Sequence, residues 1–230
     1  MRATISLKLV NKESANVLLR ALPNGDNFFE RIQIKAGLLI KDSILNNAQA
    51  LMAIHCLYEE LNRLKASFDD EIDKFEGQLE KRKLLQSHQI NFEPQYSHEL
   101  SCSNAFSMGL VELIELFDKL ISALKLLHLS GALTPKTAFY MLKQRYQKQL
   151  NRLLGKILQL PSSKNVTASI QEIIGLPPAE VADIDYHGLL EAIKSPFAPG
   201  FSPQVLSQLT YQIKKKIEGL NLMTTTREAS

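Results

Sequence analysis

The chain has 230 residues, 45% of them apolar, 22% charged and 7% aromatic with no Trp, and a formal net charge of +3. That length buries one real core, and the composition excludes a disordered or collagen-like chain. Leu, Ile, Lys, Glu and Gln abound while aromatics are few, so a mostly α fold is expected.

The N-terminal segment Arg2 to Leu9 alternates strictly. Arg2, Thr4, Ser6 and Lys8 fall on one side and Ala3, Ile5, Leu7 and Leu9 on the other, which is the period of a half-buried strand. No basic start followed by an apolar run and a small-residue cleavage site is present, and a cytoplasmic location is expected. A short helix follows over Ser14 to Leu22, stopped by Pro23, Asn24 and Gly25. Alternation returns at Arg31, Gln33 and Lys35 against Ile32 and Ile34, giving a second strand candidate over Arg31 to Ala36.

Asp42 or Ser43 is placed to cap the next helix. Its apolar positions include Leu61, Leu64, Phe68, Ile72, Phe75 and Leu79, a seam of coiled-coil spacing that implies a helical hairpin or a dimer stripe, with a break expected near Ser67 to Asp70. Residues 87–102, rich in Ser, His, Asn and Gln, read as a loop. A helix then runs from Ser103 or Asn104 to about Leu129, with Gly131 as the residue that ends it. Thr134 and Pro135 start the following helix, which reaches about Leu158 and packs tightly against its predecessor. On that second helix Phe139, Leu142, Tyr146, Leu150, Leu153 and Ile157 form the apolar face. Arg145, Lys148, Arg152 and Lys156 lie within an arc of about 80° elsewhere on its surface. Pro161 to Lys164 opens a linker, and short helices are expected near 167–174, 178–183, 186–193 and 203–218. The division expected is a main helical domain over 1–160, a helical arm over 161–223 and a frayed tail over 224–230.

Charge is striped along the chain. Residues 1–41 hold seven bases against three acids, and residues 59–80 hold eight acids against three bases. From Lys119 to Lys164 there are nine bases and no acid, and residues 165–193 hold five acids and no base. An acid-free basic stretch of that length reads either as a solvated helix surface or as a phosphate contact, since clustered Lys and Arg release condensed counterions when they meet a polyanion. The tripled Lys214 to Lys216 reads as ordinary helix surface.

Catalytic and metal-binding signatures are absent from the string. There is no phosphate-binding glycine loop, no HExxH, no GxSxG and no CxxC, and the five histidines lack ligand spacing, so no enzyme, no cofactor and no metal is expected. Cys56 and Cys102 are read as reduced core thiols. His55 beside Cys56, His98 four residues before Cys102, and the pair Glu112 and Glu115 are read as structural or solvated. The acidic run Asp69 to Asp73 lacks the alternation of a calcium loop. The richest apolar stretch, Leu110 to Leu133, carries Glu112, Glu115, Asp118, Lys119 and Lys125, so no membrane span is expected.

Three stretches carry a resemblance: "RATISLKLVNKESANVLLRAL", "RIQIKAGLLIKDSI", and "VELIELFDKLISALKLLHLSGALTPKTAFYMLKQRYQKQLNRLLGKILQLP". Together, over about residues 1–160, they resemble the AcaB-like family of regulators encoded on conjugative plasmids and integrating conjugative elements. Asp118, Leu124, His128, Gly131, Leu133 and the run through Lys156 match its hairpin and basic-helix pattern. The resemblance implies a ribbon-helix-helix-like, VirC2-like topology, mostly helical with a short N-terminal β-ribbon. It further implies a homodimeric activator of transfer genes that binds double-stranded DNA at the bacterial nucleoid, with other transfer or transcription proteins as further partners. The ribbon would come from Arg2 to Leu9, from Arg31 to Ala36, or from both paired in one chain. On this reading Arg2, Thr4, Ser6 and Lys8, with Arg31, Gln33 and Lys35, contact base edges, while Arg145, Lys148, Arg152 and Lys156 hold phosphates. The alternative is a non-catalytic helical adaptor of the conjugation machinery, engaging a partner through the acidic 59–80 segment or the Leu-rich seam.

Overall fold

The computed structural model of the chain describes residues 3–81, 92–133, 136–160, 168–175 and 184–228, with side chains to residue 220. The elements in order are β1 (Ala3–Leu9), α1 (Lys12–Leu19), α2 (Phe28–Ile44), α3 (Ala48–Glu80), β2 (Tyr96–Cys102), α4 (Ala105–Leu129), α5 (Lys136–Gln159), α6 (Ile170–Gly175), α7 (Tyr186–Ala192) and α8 (Pro203–Glu228). The described fold is therefore mostly helical with one two-stranded sheet. The helix expected over 178–183, Thr134 with Pro135, and the linker opening at Pro161 lie outside the described residues.

The contacts divide the chain into two units, one formed by residues 1–35 and 59–159, the other by 36–58 and 160–230. Residues 36–58 thus group with the C-terminal part of the chain rather than with the rest of 1–160. The last helix, α8, continues through Glu228, past the start of the tail expected to fray.

In the first unit, β1 pairs antiparallel with β2 in a seven-residue ladder from Ala3 opposite Cys102 to Leu9 opposite Tyr96. The alternation read in β1 is real, since Leu7 and Leu9 are fully buried while Thr4, Ser6 and Lys8 are exposed. Its partner is not the second strand candidate. Arg31 to Ala36 is helical, part of α2, because its apolar residues belong to a 3.6-residue period. Phe28, Phe29, Ile32, Ala36 and Leu39 are buried, whereas Ile34, the second apolar residue of the apparent alternation, is 55% exposed. The true partner strand lies in the stretch read as a loop. Its polar residues Ser97, Glu99 and Ser101 point outward, and Tyr96, His98 and Leu100 are half-buried.

The core of this unit is built by α3, α4 and α5. Phe68 of α3 sits 6.0 Å from both Phe117 of α4 and Tyr146 of α5, and Phe75 lies edge-on to the same tyrosine. The coiled-coil-like seam is consumed here: Leu61, Phe68, Ile72, Phe75 and Leu79 are all buried within the chain. It is thus no exposed stripe for a second copy, and α3 continues unbroken through Ser67 to Asp70. Gly109 lets α3 and α4 approach closely, since a Cβ there would stand 2.9 Å from Leu61 Cδ2. Asn104 caps α4 by accepting a hydrogen bond from the Ser107 amide at 2.8 Å. Gly131 ends the helix with φ +68°, a conformation that suits a residue without Cβ.

In the second unit, Asp42 and Ser43 do not cap a helix but lie in the last turn of α2. Leu45 and Asn46 separate α2 from α3, and Asn46 adopts φ 69°. The cap of α3 is Asn47, whose side-chain oxygen accepts the Ala50 amide at 3.0 Å. Ser43 is buried and donates to the carbonyl oxygens of Ile40 and Phe197. Tyr58 packs edge-on against Phe197 at 5.1 Å. Ile54, Leu57, Ile173, Leu189, Leu209 and Ile213 are buried in the same unit. Cys102 is buried as expected, whereas Cys56 is exposed. It follows Ile54 and precedes Leu57 on α3, and at about 100° per residue it falls outside their inward arc.

Candidate nucleic-acid interface

Every base of the acid-free stretch is positively charged, but tertiary contacts decide which charges face water. Lys125 donates to Asn11 Oδ1 at 2.7 Å and lies 3.5 Å from Glu13, and Lys143 pairs with the same carboxylate at 3.0 Å. Burial pushes the Glu13 carboxyl up, but its backbone hydrogen bond and these two ammonium groups outweigh that and hold it below the ordinary value. Lys156 pairs with Glu60 at 2.6 Å. These three cations serve the fold.

Arg145, Lys148 and Arg152 remain exposed along α5. Among the described residues none of the three side chains makes a hydrogen bond or an ion pair, although Arg145 adds a minor through-space contribution to the lowering of the Glu71 carboxyl, which its hydrogen bonds from Tyr146 and Lys74 dominate. They line a shallow surface depression together with Met141, Gln144 and Gln149. Seven residues of helix at 1.5 Å each set the three cations along about 10 Å. The amide oxygen of Gln149 is buried there without a hydrogen-bond partner among the described residues.

The other expected contact residues divide in two. Thr4, Ser6 and Lys8 share one exposed face of the β pair, and Arg2 lies outside the described residues. Across the ladder Thr4 meets Ser101, Ser6 meets Glu99 and Lys8 meets Ser97. The outer face is therefore hydroxyl-rich, with one cation and one anion. Arg31, Gln33 and Lys35 sit instead on α2. The Lys35 ammonium donates to the Leu158 carbonyl in the last turn of α5, where a cation suits the exposed helix carbonyls. Burial, and secondarily the Arg31 charge, lowers its proton affinity. Gln33 Nε2 lies 3.9 Å from Cys102 Sγ, while Arg31 is exposed.

A clasp that the sequence reading did not use positions β1. Asp118 of α4 is 6% exposed and accepts hydrogen bonds from the backbone amides of Val10 and Asn11, both at 2.9 Å, and from Asn11 Nδ2 at 3.0 Å. The Asn11 amide also donates to the Asp118 carbonyl and to Ser122 Oγ. The junction between the strand and α1 is thereby tied to the core helix. The available signal was one buried Asp on the inward face of an otherwise apolar helix.

Among the described residues no cluster of three or more His, Cys, Asp and Glu side chains has the geometry to hold a metal ion. No described helix is long and apolar enough to cross a membrane.

The fold and the surface define a mostly helical protein that carries an antiparallel β pair and a cationic helix face. No family model and no curated protein matches the chain. Among solved structures it is similar to the crystal structure of selenomethionine-containing AcaB from uropathogenic E. coli. The two share 17% identity and a TM-score of 0.48, over 91% of this chain and 97% of that one.

Proposed function

We propose that the chain is a non-enzymatic, sequence-specific DNA-binding regulator that activates conjugative transfer genes of a mobile element in the bacterial cytoplasm, binding duplex DNA as a homodimer. The observation that carries this reading is the set Arg145, Lys148 and Arg152, exposed on one helix in a 46-residue stretch without an acid. Three cations over about 10 Å span about three phosphate-to-phosphate steps of one strand, each rising about 3.4 Å along the duplex axis. Phosphate contacts give affinity and register; discrimination between sites falls to the donors and acceptors of Thr4, Ser6 and Lys8 on the strand face. The conjugative setting and the activating role come from the family resemblance of residues 1–160. Within this proposal the ribbon-helix-helix-like comparison concerns how the strand face meets the groove, with β1 and β2 as the ribbon.

The test is fluorescence anisotropy with labelled duplex from the neighbouring genes and with a scrambled duplex, each at two salt concentrations. Binding to the native duplex at least about a thousandfold tighter than to the scrambled one is the expected result. The substitutions S6A and K8A should then change which site is preferred. Equal, salt-sensitive affinity for both would reduce the protein to a general DNA surface. No binding at low salt would refute the proposal and leave the exposed acids Asp69, Asp70, Asp73 and Glu76 of α3 as the surface of an adaptor.

A further inference from the structure

The outer face of the β pair carries a single acid at its centre. Thr4, Ser6 and Lys8 of β1 and Ser97, Glu99 and Ser101 of β2 are all exposed. Ser6 opposite Glu99 is the fourth of the seven pairs in the ladder, so the carboxylate stands midway along the face. Lys8 lies opposite Ser97, two residues along β2 from Glu99. Lys8 and Glu99 are therefore diagonal neighbours, with Cα atoms about 7–8 Å apart. Among the described residues none of these six side chains makes a hydrogen bond or an ion pair.

A carboxylate in this place is costly on a surface that meets a polyanion, because it repels phosphates. The cost is offset where the carboxylate meets N–H donors. In the major groove such donors are cytosine N4 and adenine N6. Adenine N6 is flanked by acceptors on both sides, its own N7 and the thymine O4, and both repel a carboxylate. Cytosine N4 has an acceptor on one side only, the guanine O6 of its own pair. That O6 and the neighbouring N7 suit an ammonium. A G·C pair thus presents acceptors beside a donor, and the Lys8–Glu99 diagonal presents the complement. Exposed ion pairs are weak, so the two side chains separate readily to meet a base pair.

We propose that Glu99 is a specificity-determining residue whose carboxylate accepts a hydrogen bond from a cytosine N4 amino group, while Lys8 donates to the paired guanine, so that the site requires one G·C pair. This rests on the nucleic-acid reading above and names the base pair it selects.

The experiment selects duplexes from a randomised library with the full chain, as wild type and as E99Q. Fluorescence anisotropy then follows the preferred duplex with each base pair changed in turn. One G·C pair is expected whose change to A·T weakens wild-type binding about tenfold or more and E99Q binding by less than about threefold. K8Q should lose the same preference. E99Q should also bind scrambled duplex about twofold tighter, because a repulsive charge is gone, a gain that a purely structural residue would not give. Both side chains are exposed, and circular dichroism verifies that the variants fold. Wild-type selectivity that E99Q shares at every position overturns the inference alone, as does a Glu99-dependent position occupied by A·T. Binding without sequence preference, or no binding, by the wild type removes the sequence-specific reading itself and the inference with it.

Discussion

Replacing Asp118 by Ala should destabilise the first unit more than any single surface change. The carboxylate serves three donors, but they are not equally dependent on it. Asn11 Nδ2 keeps the Asp118 carbonyl and Ser122 Oγ as partners, so the substitution orphans chiefly the backbone amides of Val10 and Asn11. Leaving a buried donor unsatisfied costs about 1–3 kcal/mol, and hydrogen bonds to a charged group lie at the upper end. Two such amides, one of them half-buried, give a loss of about 3–5 kcal/mol, a large share of an ordinary domain's total stability. For a chain of this size that corresponds to a fall in Tm of about 6–20 °C. The substitution D118N keeps the shape and one carbonyl oxygen but turns an amide NH2 toward a backbone donor, so it should fall between Ala and wild type. Thermal and urea unfolding followed by circular dichroism measure both. A D118A protein melting within about 2 °C of wild type would show that the clasp contributes nothing net and refute the reasoning.

Three further outcomes follow from the same contacts. The triple substitution R145A/K148A/R152A should lower the slope of log K against log salt for DNA binding by about 2.7, at 0.9 per phosphate contact, whereas K156A, whose charge is engaged by Glu60, should change it by less than about 0.5. Equal effects per residue would contradict the partition of free and paired cations. The Glu13 carboxyl is held below its ordinary value of 4.5. Its ion pairs therefore contribute stability that is complete above that pH and disappears as pH falls through the lower folded value, and E13Q should flatten this acid limb of the stability profile. Tyr146 is displaced the other way: burial first, then its 2.6 Å hydrogen bond to Glu71, raises the phenol above its ordinary value of 10.0. Its contribution is complete below that pH and is lost as pH climbs through the raised value. Phenolate absorbance from Tyr146 should appear only with alkaline unfolding, and Y146F should cost about 1 kcal/mol near neutral pH in chemical denaturation.

Long elements with a strong period were legible in the sequence. β1 was visible because seven alternating residues have one buried face, and α4 and α5 were visible through long apolar stripes, a capping Asn104 and the terminating Gly131. The failures share a cause. Ile32 and Ile34 present two apolar residues to either template, and only the burial of Phe28, Ile32, Ala36 and Leu39 shows that the helical period governs. β2 was illegible because its outer residues are polar and its inner ones include His98, so alternation was masked; pairing with β1 selects its conformation. The start of α3 was misplaced because Asp42 and Ser43 are good capping residues, whereas the tertiary contact of Ser43 with the Phe197 carbonyl keeps that turn inside α2.

Sequence alone determined the class of the fold, the amphipathic face of α5 and the accumulation of positive charge between Lys119 and Lys164, since these depend on residue type and local spacing. Which of those charges is free was decided only by tertiary structure. Lys125, Lys143 and Lys156 meet Glu13 and Glu60, residues at least 96 positions away in the chain, while Arg145, Lys148 and Arg152 meet no carboxylate at ion-pair distance among the described residues. A charge acts on its neighbours in space within a few ångströms, and no spacing rule along one segment reports the partner that folding brings from another.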